Sequence, residues 1–272
     1  NLVRFFGDVP LILDLKTVED SKGPRDSKEL IYDQIIEDLT FAEEHLPLRS
    51  EYSASDEGRI NKGAAKILFG KVYLTKGDFQ KAKDKLAEVV EHESEYGFGL
   101  HKDYHANWLR DTEAGIEAVL YIEYKEPPFQ HNGEMALAGP KYSIPGSLGI
   151  SALNEADIPT QELYDQFDNR DLRKKTNFKT EFAHLKTGEI LKSSIPLSGK
   201  FWVEGLETGD RCDVNMHIIR YADAILMYAE ALNEVGKSTK ALAMLNRIRE
   251  RAFGDDSGNF KSMSKSFRSE ER

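Results

Sequence analysis

Cysteine is all but missing from this chain. Cys212 stands alone among 272 residues, which excludes an internal disulfide and any zinc site built on paired cysteines. It also lacks a recognisable nucleophile setting. Positive charge is in deficit: 37 Lys and Arg face 47 Asp and Glu, a formal net charge of −10. Such a surface repels phosphate backbones, so nucleic acid is not an expected partner. No apolar run approaches the roughly 20 residues of a membrane-spanning helix. The opening Asn1-Leu2-Val3-Arg4 is no secretory leader. It reads as the tail of a helix, and the chain is expected to begin inside a longer protein.

Catalytic and cofactor signatures are equally scarce. There is no Gly-x-Ser-x-Gly elbow. Gly236-Lys237-Ser238-Thr239 looks like the end of a phosphate loop, but the position that should hold its first glycine is Ala231. The segment also joins two helices where a phosphate loop follows a strand, so it reads as an inter-helix turn. His101 and His105 have helical spacing without a metalloprotease glutamate beside them. Neither a metal nor a cofactor is expected, and no residue is assigned a catalytic role. Glu155, Asp157, Asp165 and Asp168 are of the type a glycosidase sets about 5–10 Å apart across a cleft. With 47 acidic residues in the chain, spacing singles out no pair. Asp165, Asp168 and Asp171 read as a solvated helix end beside Arg170 and Arg173.

What is present is a repeated helix pair. The first copy runs from Gly58 to Val90 and the second from Tyr221 to Ala252. Phe69, Gly70 and Tyr73 correspond to Tyr228, Ala229 and Leu232. Gly77 matches Gly236, and Ala82, Leu86 and Val89 match Ala241, Leu245 and Ile248. This is the tetratricopeptide pattern: a small residue lets two helices approach, larger ones fill the space around it, and a glycine turns the chain. A pair of this kind buries its apolar face only against neighbours. The expected inner stripes are Ala65, Leu68, Phe69 and Val72, facing Phe79, Ala82, Leu86 and Val89.

Ahead of the first pair, Asp26 or Ser27 can cap a helix with Glu29 in its first turn. Ile31, Ile35, Leu39, Ala42 and Leu46 line its face, and Pro47 stops it. A helix ending near Phe5 is its expected partner, which makes a third, partial repeat. Between the pairs, residues 96–215 lose helical periodicity. Ala118 to Tyr124 and Lys200 to Val203 read as strands. Pro127 to Pro159 reads as a long loop with turns at Asn132-Gly133 and Pro145-Gly146, and long loops in compact domains are more often functional than idle. Thr160 can cap a short helix with Leu163, Tyr164 and Phe167 inward. The fold class is therefore mostly α: tetratricopeptide-like helix pairs over 1–95 and 216–252, with an irregular, minor-β, loop-rich excursion over 96–215, all in one domain spanning 1–272.

The excursion carries the residues suited to sugar. Pyranose rings present apolar C–H faces that stack on aromatics, while amides, carboxylates and Arg bond the hydroxyls. Phe129, His131, Asn132, Tyr142, Trp202 and Arg211 are the candidate ligand-binding residues. Packing within the core or the loop is the competing reading for each. Trp108 is assigned to the core.

Several stretches, in order, resemble one family. Asn1 to Leu11 (NLVRFFGDVPL), the helix pair from Gly58 through Gly77-Asp78-Phe79, and Tyr96-Gly97-Phe98-Gly99-Leu100 come first. Pro159-Thr160-Gln161-Glu162-Leu163 with Phe167, Asp171 and Arg173 follows, then Arg220-Tyr221-Ala222-Asp223 through Met227-Tyr228-Ala229-Glu230-Ala231-Leu232-Asn233-Glu234. Together they are similar to the SusD/RagB-type outer-membrane nutrient-binding lipoproteins. The resemblance implies a SusD-like α/α scaffold and non-catalytic binding of oligo- or polysaccharide at the bacterial outer-membrane surface. It also implies delivery to a SusC-like TonB-dependent transporter. Membrane contact is then expected only through a lipid anchor outside this chain. Two other classes stay open: a tetratricopeptide scaffold for a protein or peptide partner, and a helical glycoside hydrolase. The long aromatic excursion and the small number of intact repeats weigh against the scaffold.

Overall fold

The structure, a computed structural model, describes residues 1–14, 17–19, 22–125 and 133–262. The fold class is the one expected: mostly helical, with short strands confined to two small sheets. The chain divides into two compact units, Asn1–Tyr96 and Gly97–Arg272.

The first unit contains α1 (Leu2–Phe6), α2 (Lys28–His45), α3 (Lys62–Lys76) and α4 (Phe79–Val90). Of the two candidate caps, Ser27 is the one used, its Oγ accepting from the Leu30 N–H at 3.4 Å. Asp26 instead accepts from the Leu11 N–H at 2.7 Å and so ties down the entering strand of chain. Helix α2 ends at His45, with Leu46 already extended ahead of Pro47. Phe5 and Phe6 on α1, expected to partner α2, are exposed; α2 packs onto α3. Asn61 caps α3 through its Oδ1 (3.0 Å to the Ala64 N–H), and Gly77, left-handed at φ 79°, ends it.

Helix α3 is covered on two sides, by α2 and by α4, so its buried surface is wider than one stripe. Ala65 and Phe69 are buried as expected, but Leu68 and Val72 are only half-buried. Ile67, Gly63, Ala64, Gly70 and Leu74 are buried instead. Full burial of a side chain such as Ile67 or Leu86 contributes about 1.5–3 kcal/mol. Lys66 lies inside this packing, bonding Glu43 of α2 at 2.9 Å and Glu88 of α4, while Lys85 bonds Glu43 at 2.8 Å. The ion cluster joins all three helices.

Gly70 shows why the repeat needs a small residue. A Cβ there would stand 2.7 Å from Leu86 Cδ2, and Leu86 is fully buried with nowhere to retreat. Alanine improves helix propensity by up to about 1 kcal/mol, but overpacking costs roughly 1–3 kcal/mol. We expect Gly70→Ala to lose about 1–2 kcal/mol in urea unfolding, and the double variant with Leu86→Ala to lose less than the sum of the two single losses. Additive losses would show that the two side chains do not compete for this space.

In the second unit, β1 (Ala118–Ile122) pairs antiparallel with β4 (Met216–Arg220), and β2 (Phe178–Ala183) pairs antiparallel with β3 (Ile190–Ser198). The helices are α5 (Glu134–Ala138), α6 (Gln161–Gln166), α7 (Lys174–Asn177), α8 (Tyr221–Glu234) and α9 (Ser238–Phe253). The strand expected at Lys200–Val203 is a turn, with the Trp202 N–H donating to the Gly199 carbonyl at 3.3 Å; the strand lies just before it, as β3. Helices α8 and α9 form the second pair, joined through Gly236 at φ 77°. The phosphate-loop look-alike is thus an inter-helix turn. Thr160 caps α6, accepting from the Leu163 N–H at 3.2 Å. Tyr164 and Phe167 meet Phe178 edge-on, at 5.3 and 5.0 Å between centroids. Leu163, expected inward, is exposed because so short a helix has one covered face.

Strand β4 runs straight into α8, and Arg220 is both the last strand residue and the helix cap. Asp223 accepts from its N–H at 2.9 Å. The Arg220 guanidinium reaches Glu117, which is fully buried. Tyr221, equally buried, stacks on Phe98 at 5.7 Å. These contacts account for the Arg-Tyr-Ala-Asp run.

Candidate ligand-binding surface

Part of the 139–158 loop packs on the β2–β3 hairpin. Ile144, Leu148 and Leu153 from the loop are buried with Phe182 of β2 and Leu197 of β3. Main-chain bonds reinforce this packing: Ser194 of β3 donates to the Ser143 carbonyl at 2.7 Å, and the Leu185 N–H donates to the Leu148 carbonyl at 2.8 Å. The Asn154 and Ala156 N–H groups donate to Ala136 and Leu137 of α5 at 2.7 and 2.8 Å. The long excursion is therefore an anchored loop.

Tyr142 projects from it, 76% exposed. Its backbone is held by Glu155, whose Oε2 accepts from the N–H groups of Lys141, Tyr142 and Ser143 at 2.6, 2.7 and 3.0 Å. Burial works to raise the carboxyl of Glu155, but the N–H groups of Tyr142, Lys141 and Ser143 outweigh it and hold the pKa below the ordinary value. The Lys141 ammonium sits 5.3 Å from the Tyr142 ring centroid.

The same loop helps to form a polar cleft of about 470 Å³ that contains Arg211. Ser151 and Thr208 form a parallel bridge across it, closed by the Ser151 N–H on the Glu207 carbonyl and the Gly209 N–H on the Ser151 carbonyl, both 2.9 Å. Gly149, Ser151, Lys186 and Glu207 share the lining with Arg211. This cleft offers hydroxyl, carboxylate, ammonium and guanidinium groups within one concavity, which suits a polyhydroxy ligand.

Trp202 lines a different cleft, of about 530 Å³, with His105, Trp108, Lys175 and Lys179. Its ring meets Phe182 edge-on at 4.8 Å and its indole N–H donates to Glu204 at 2.9 Å. Glu204 also pairs with Lys179 at 3.0 Å. Trp202 is thus partly committed to packing. Trp108 is buried, as expected.

Of the six candidates, Phe129, His131 and Asn132 lie outside the described residues. Tyr142 and Arg211 are linked through one loop; Trp202 belongs to the other cleft. Ser151, Lys186, Glu207 and Glu155 were not among the candidates. Ser151 and Glu207 lie within the segments 127–159 and 200–211 expected to supply contacts, but nothing local singles them or Lys186 out, because the cleft is closed by pairing between residues far apart in sequence. Of the carboxylates weighed for catalysis, Glu155 is taken by three N–H groups, Asp165 accepts from the Gln161 amide at 2.9 Å and Asp168 is paired with Arg170. Bonds from the Arg170 side chain and backbone hold Asp168 down to about 2, and Asp171 receives Arg173 in a two-pronged pair at 2.9 and 2.6 Å. Asp171 is buried, so this helix end is less solvated than expected. No cluster of three or more His, Cys, Asp or Glu side chains placed to hold a metal occurs among the described residues, and no described helix is long and apolar enough to cross a membrane.

Comparison with known proteins follows the same lines. The SusD family model, SusD_RagB, matches residues 196–270. SusD-like protein P2 of Formosa agariphila is 30% identical over 93% of this chain and 53% of its own length. The chain spans about half the length of the curated relatives it matches. Among solved structures, a SusD superfamily protein from Parabacteroides distasonis superposes with a TM-score of 0.79 at 27% identity, over 97% of this chain and 59% of that one. A laminarin-binding SusD-like protein superposes with a TM-score of 0.71 at 25% identity, over 90% and 59%. Family model, sequence relatives and structural neighbours agree in supporting the SusD/RagB family for this chain.

Proposed function

We propose that this chain forms part of a non-catalytic glycan-capture protein. The observation that carries the reading is the anchored loop, which presents an exposed aromatic, Tyr142, and lines a polar cleft with Arg211. An aromatic face and a cluster of polar groups are the two things a sugar chain needs from a protein surface. The laminarin-binding neighbour supports a glycan as ligand. Trp202, and in turn Phe129, His131 and Asn132, are proposed to extend the contact surface. A general acid keeps its proton near neutral pH; Glu155 and Asp168 are both held ionised, and Glu113, whose carboxyl is pushed up, is buried.

The family resemblance extends the proposal to the setting. The full-length protein is lipid-anchored at the outer-membrane surface and hands its ligand to a TonB-dependent transporter. Co-purification of the full-length protein with such a barrel tests this part, and recovery of the protein without one, under conditions that preserve outer-membrane complexes, counts against it.

Open sites exchange water for sugar contacts with small net gain, so the affinity belongs in the micromolar-to-millimolar range, about −4 to −8 kcal/mol. Titration calorimetry of the full-length protein against laminarin and a panel of other soluble glycans measures it. Tyr142→Ala is expected to weaken the positive glycan about tenfold, roughly 1.4 kcal/mol, with no reducing sugar released by either form. Absence of binding across the panel, or release of reducing sugar, overturns the reading.

A further inference from the structure

Glu155 has an unusual backbone. It stands at φ 52°, and Ala152 three residues earlier at φ 57°. For residues other than glycine this left-handed region is unfavourable, and such conformations persist only where surrounding bonds over-determine them. Here those bonds are visible. The N–H groups on either side of Glu155, from Asn154 and Ala156, are fastened to α5 at 2.7 and 2.8 Å. The left-handed turn at Glu155 lies between these anchors, and its carboxylate reaches back across the loop to residues 141–143.

What it meets there is three successive N–H groups converging on a single oxygen, at 2.6, 2.7 and 3.0 Å. The middle one belongs to Tyr142. On the far side, the Ser143 carbonyl is taken by the Ser194 N–H of β3 at 2.7 Å. The segment carrying Tyr142 is thus gripped from both sides while the ring itself stands in solvent. A carboxylate accepting several N–H bonds is among the stronger anchors a protein has, and an aromatic already fixed in place loses less freedom when a ligand arrives.

We propose that Glu155 is the positioning residue of the capture surface: it holds the 141–143 segment so that Tyr142 is presented as a rigid stacking platform. The inference rests on the glycan-capture reading for the identity of the ligand, but the clamp itself has a readout that needs no ligand. Glu155 touches no sugar in this account and acts through Tyr142.

The test uses Glu155→Gly, which removes the carboxylate and relieves the left-handed backbone together, and Glu155→Gln, which keeps one oxygen able to accept N–H bonds. In the full-length protein, Glu155→Gly is expected to speed hydrogen exchange of the Lys141, Tyr142 and Ser143 amides at least tenfold, with the melting temperature little changed. Against the glycan that binds best in the panel above, it is expected to raise Kd about tenfold, as Tyr142→Ala does. The double variant is expected to be no weaker than either single one, and Glu155→Gln to recover part of the affinity. Unchanged amide exchange overturns the clamp. Accelerated exchange with undiminished affinity, or with losses that multiply in the double variant, overturns its role in positioning Tyr142. If the unmodified protein binds no glycan, the capture reading fails and takes the positioning role with it, while exchange still decides whether the clamp exists.

Discussion

Replacing Glu117 by alanine is expected to cost about 3–5 kcal/mol, the range for breaking a buried ion pair. Its carboxylate is fully buried and its bonds reach three parts of the second unit. Oε1 takes Arg220 at 2.7 Å; Oε2 takes Arg251 at 2.6 Å, the His101 N–H at 3.1 Å and the Asn107 amide at 3.2 Å. The groups come from β4, from α9 and from the irregular chain ahead of β1. Deletion leaves two guanidinium groups without their shared anion, and the Arg251 side chain is only 6% exposed. Arginine cannot escape by losing its proton. Glu117→Gln keeps the volume and part of the hydrogen bonding, so it should fall between alanine and the native residue. Glu88→Ala in the first unit supplies the contrast: that carboxylate is 41% exposed and its buried partner Lys66 keeps Glu43 at 2.9 Å, so a smaller loss, about 1 kcal/mol, is expected. Urea unfolding of the three variants ranks them, and equal losses for Glu117→Ala and Glu88→Ala would remove Glu117 from its place as an organising centre.

The helical part of this architecture was legible because helices announce themselves locally. Ser27, Asn61 and Thr160 cap within three residues of their own positions, and Gly77 and Gly236 turn the chain where the apolar stripes end. Those signals need no knowledge of distant residues. The β2–β3 hairpin was missed because its burial comes from the loop above it. Strand β3 alternates weakly, carries Pro196, and has a buried pair only at its end. Its inner face is defined by Ile144, Leu148 and Leu153, up to some 50 residues earlier. The run Lys200–Val203 looks like a strand for the same reason: its apolar pattern is local, while its neighbours make it the closure of a turn. For the site, residue chemistry alone put Tyr142, Trp202 and Arg211 among the candidates. It could not show that Trp202 is braced by Phe182 and Glu204, nor that Glu155 occupies a left-handed turn. A glutamate's φ is dictated by the anchors at Asn154 and Ala156, and neither residue type advertises it. Glu117 is the same problem in the core, a charge that looks like surface until its two arginines arrive from more than 100 residues away.

A second large effect concerns pH. Glu113 is 4% exposed and its carboxyl is pushed up from 4.5 to about 7, chiefly by burial. The Asn215 N–H on Oε2 at 2.8 Å and the nearby Arg110 pull the other way, while Asp213 and Glu123 add to the rise. The folded state therefore favours the protonated acid. Its contribution to stability is fully present below the ordinary value of 4.5 and is lost as pH rises through about 7. Each unit is worth about 1.4 kcal/mol, so the loss across that window is on the order of 3 kcal/mol. His217 works in the opposite sense. It donates from Nε2 to the Glu113 carbonyl at 2.9 Å, and burial lowers its pKa below 6.5, so its contribution is present above that value and fades as the solution is acidified. The two slopes offset each other in mild acid, which makes the difference between variants more informative than either curve alone. Glu113→Gln keeps an oxygen for the Asn215 N–H and cannot ionise. Relative to the native chain it should be close to neutral near the acid end of the window, gain steadily through it, and level off as the more stable form above about pH 7. Urea midpoints taken across that range in the two forms measure the difference. A constant gap, or one that narrows as pH rises, would show that Glu113 is ionised in the folded protein and that burial does not govern its proton.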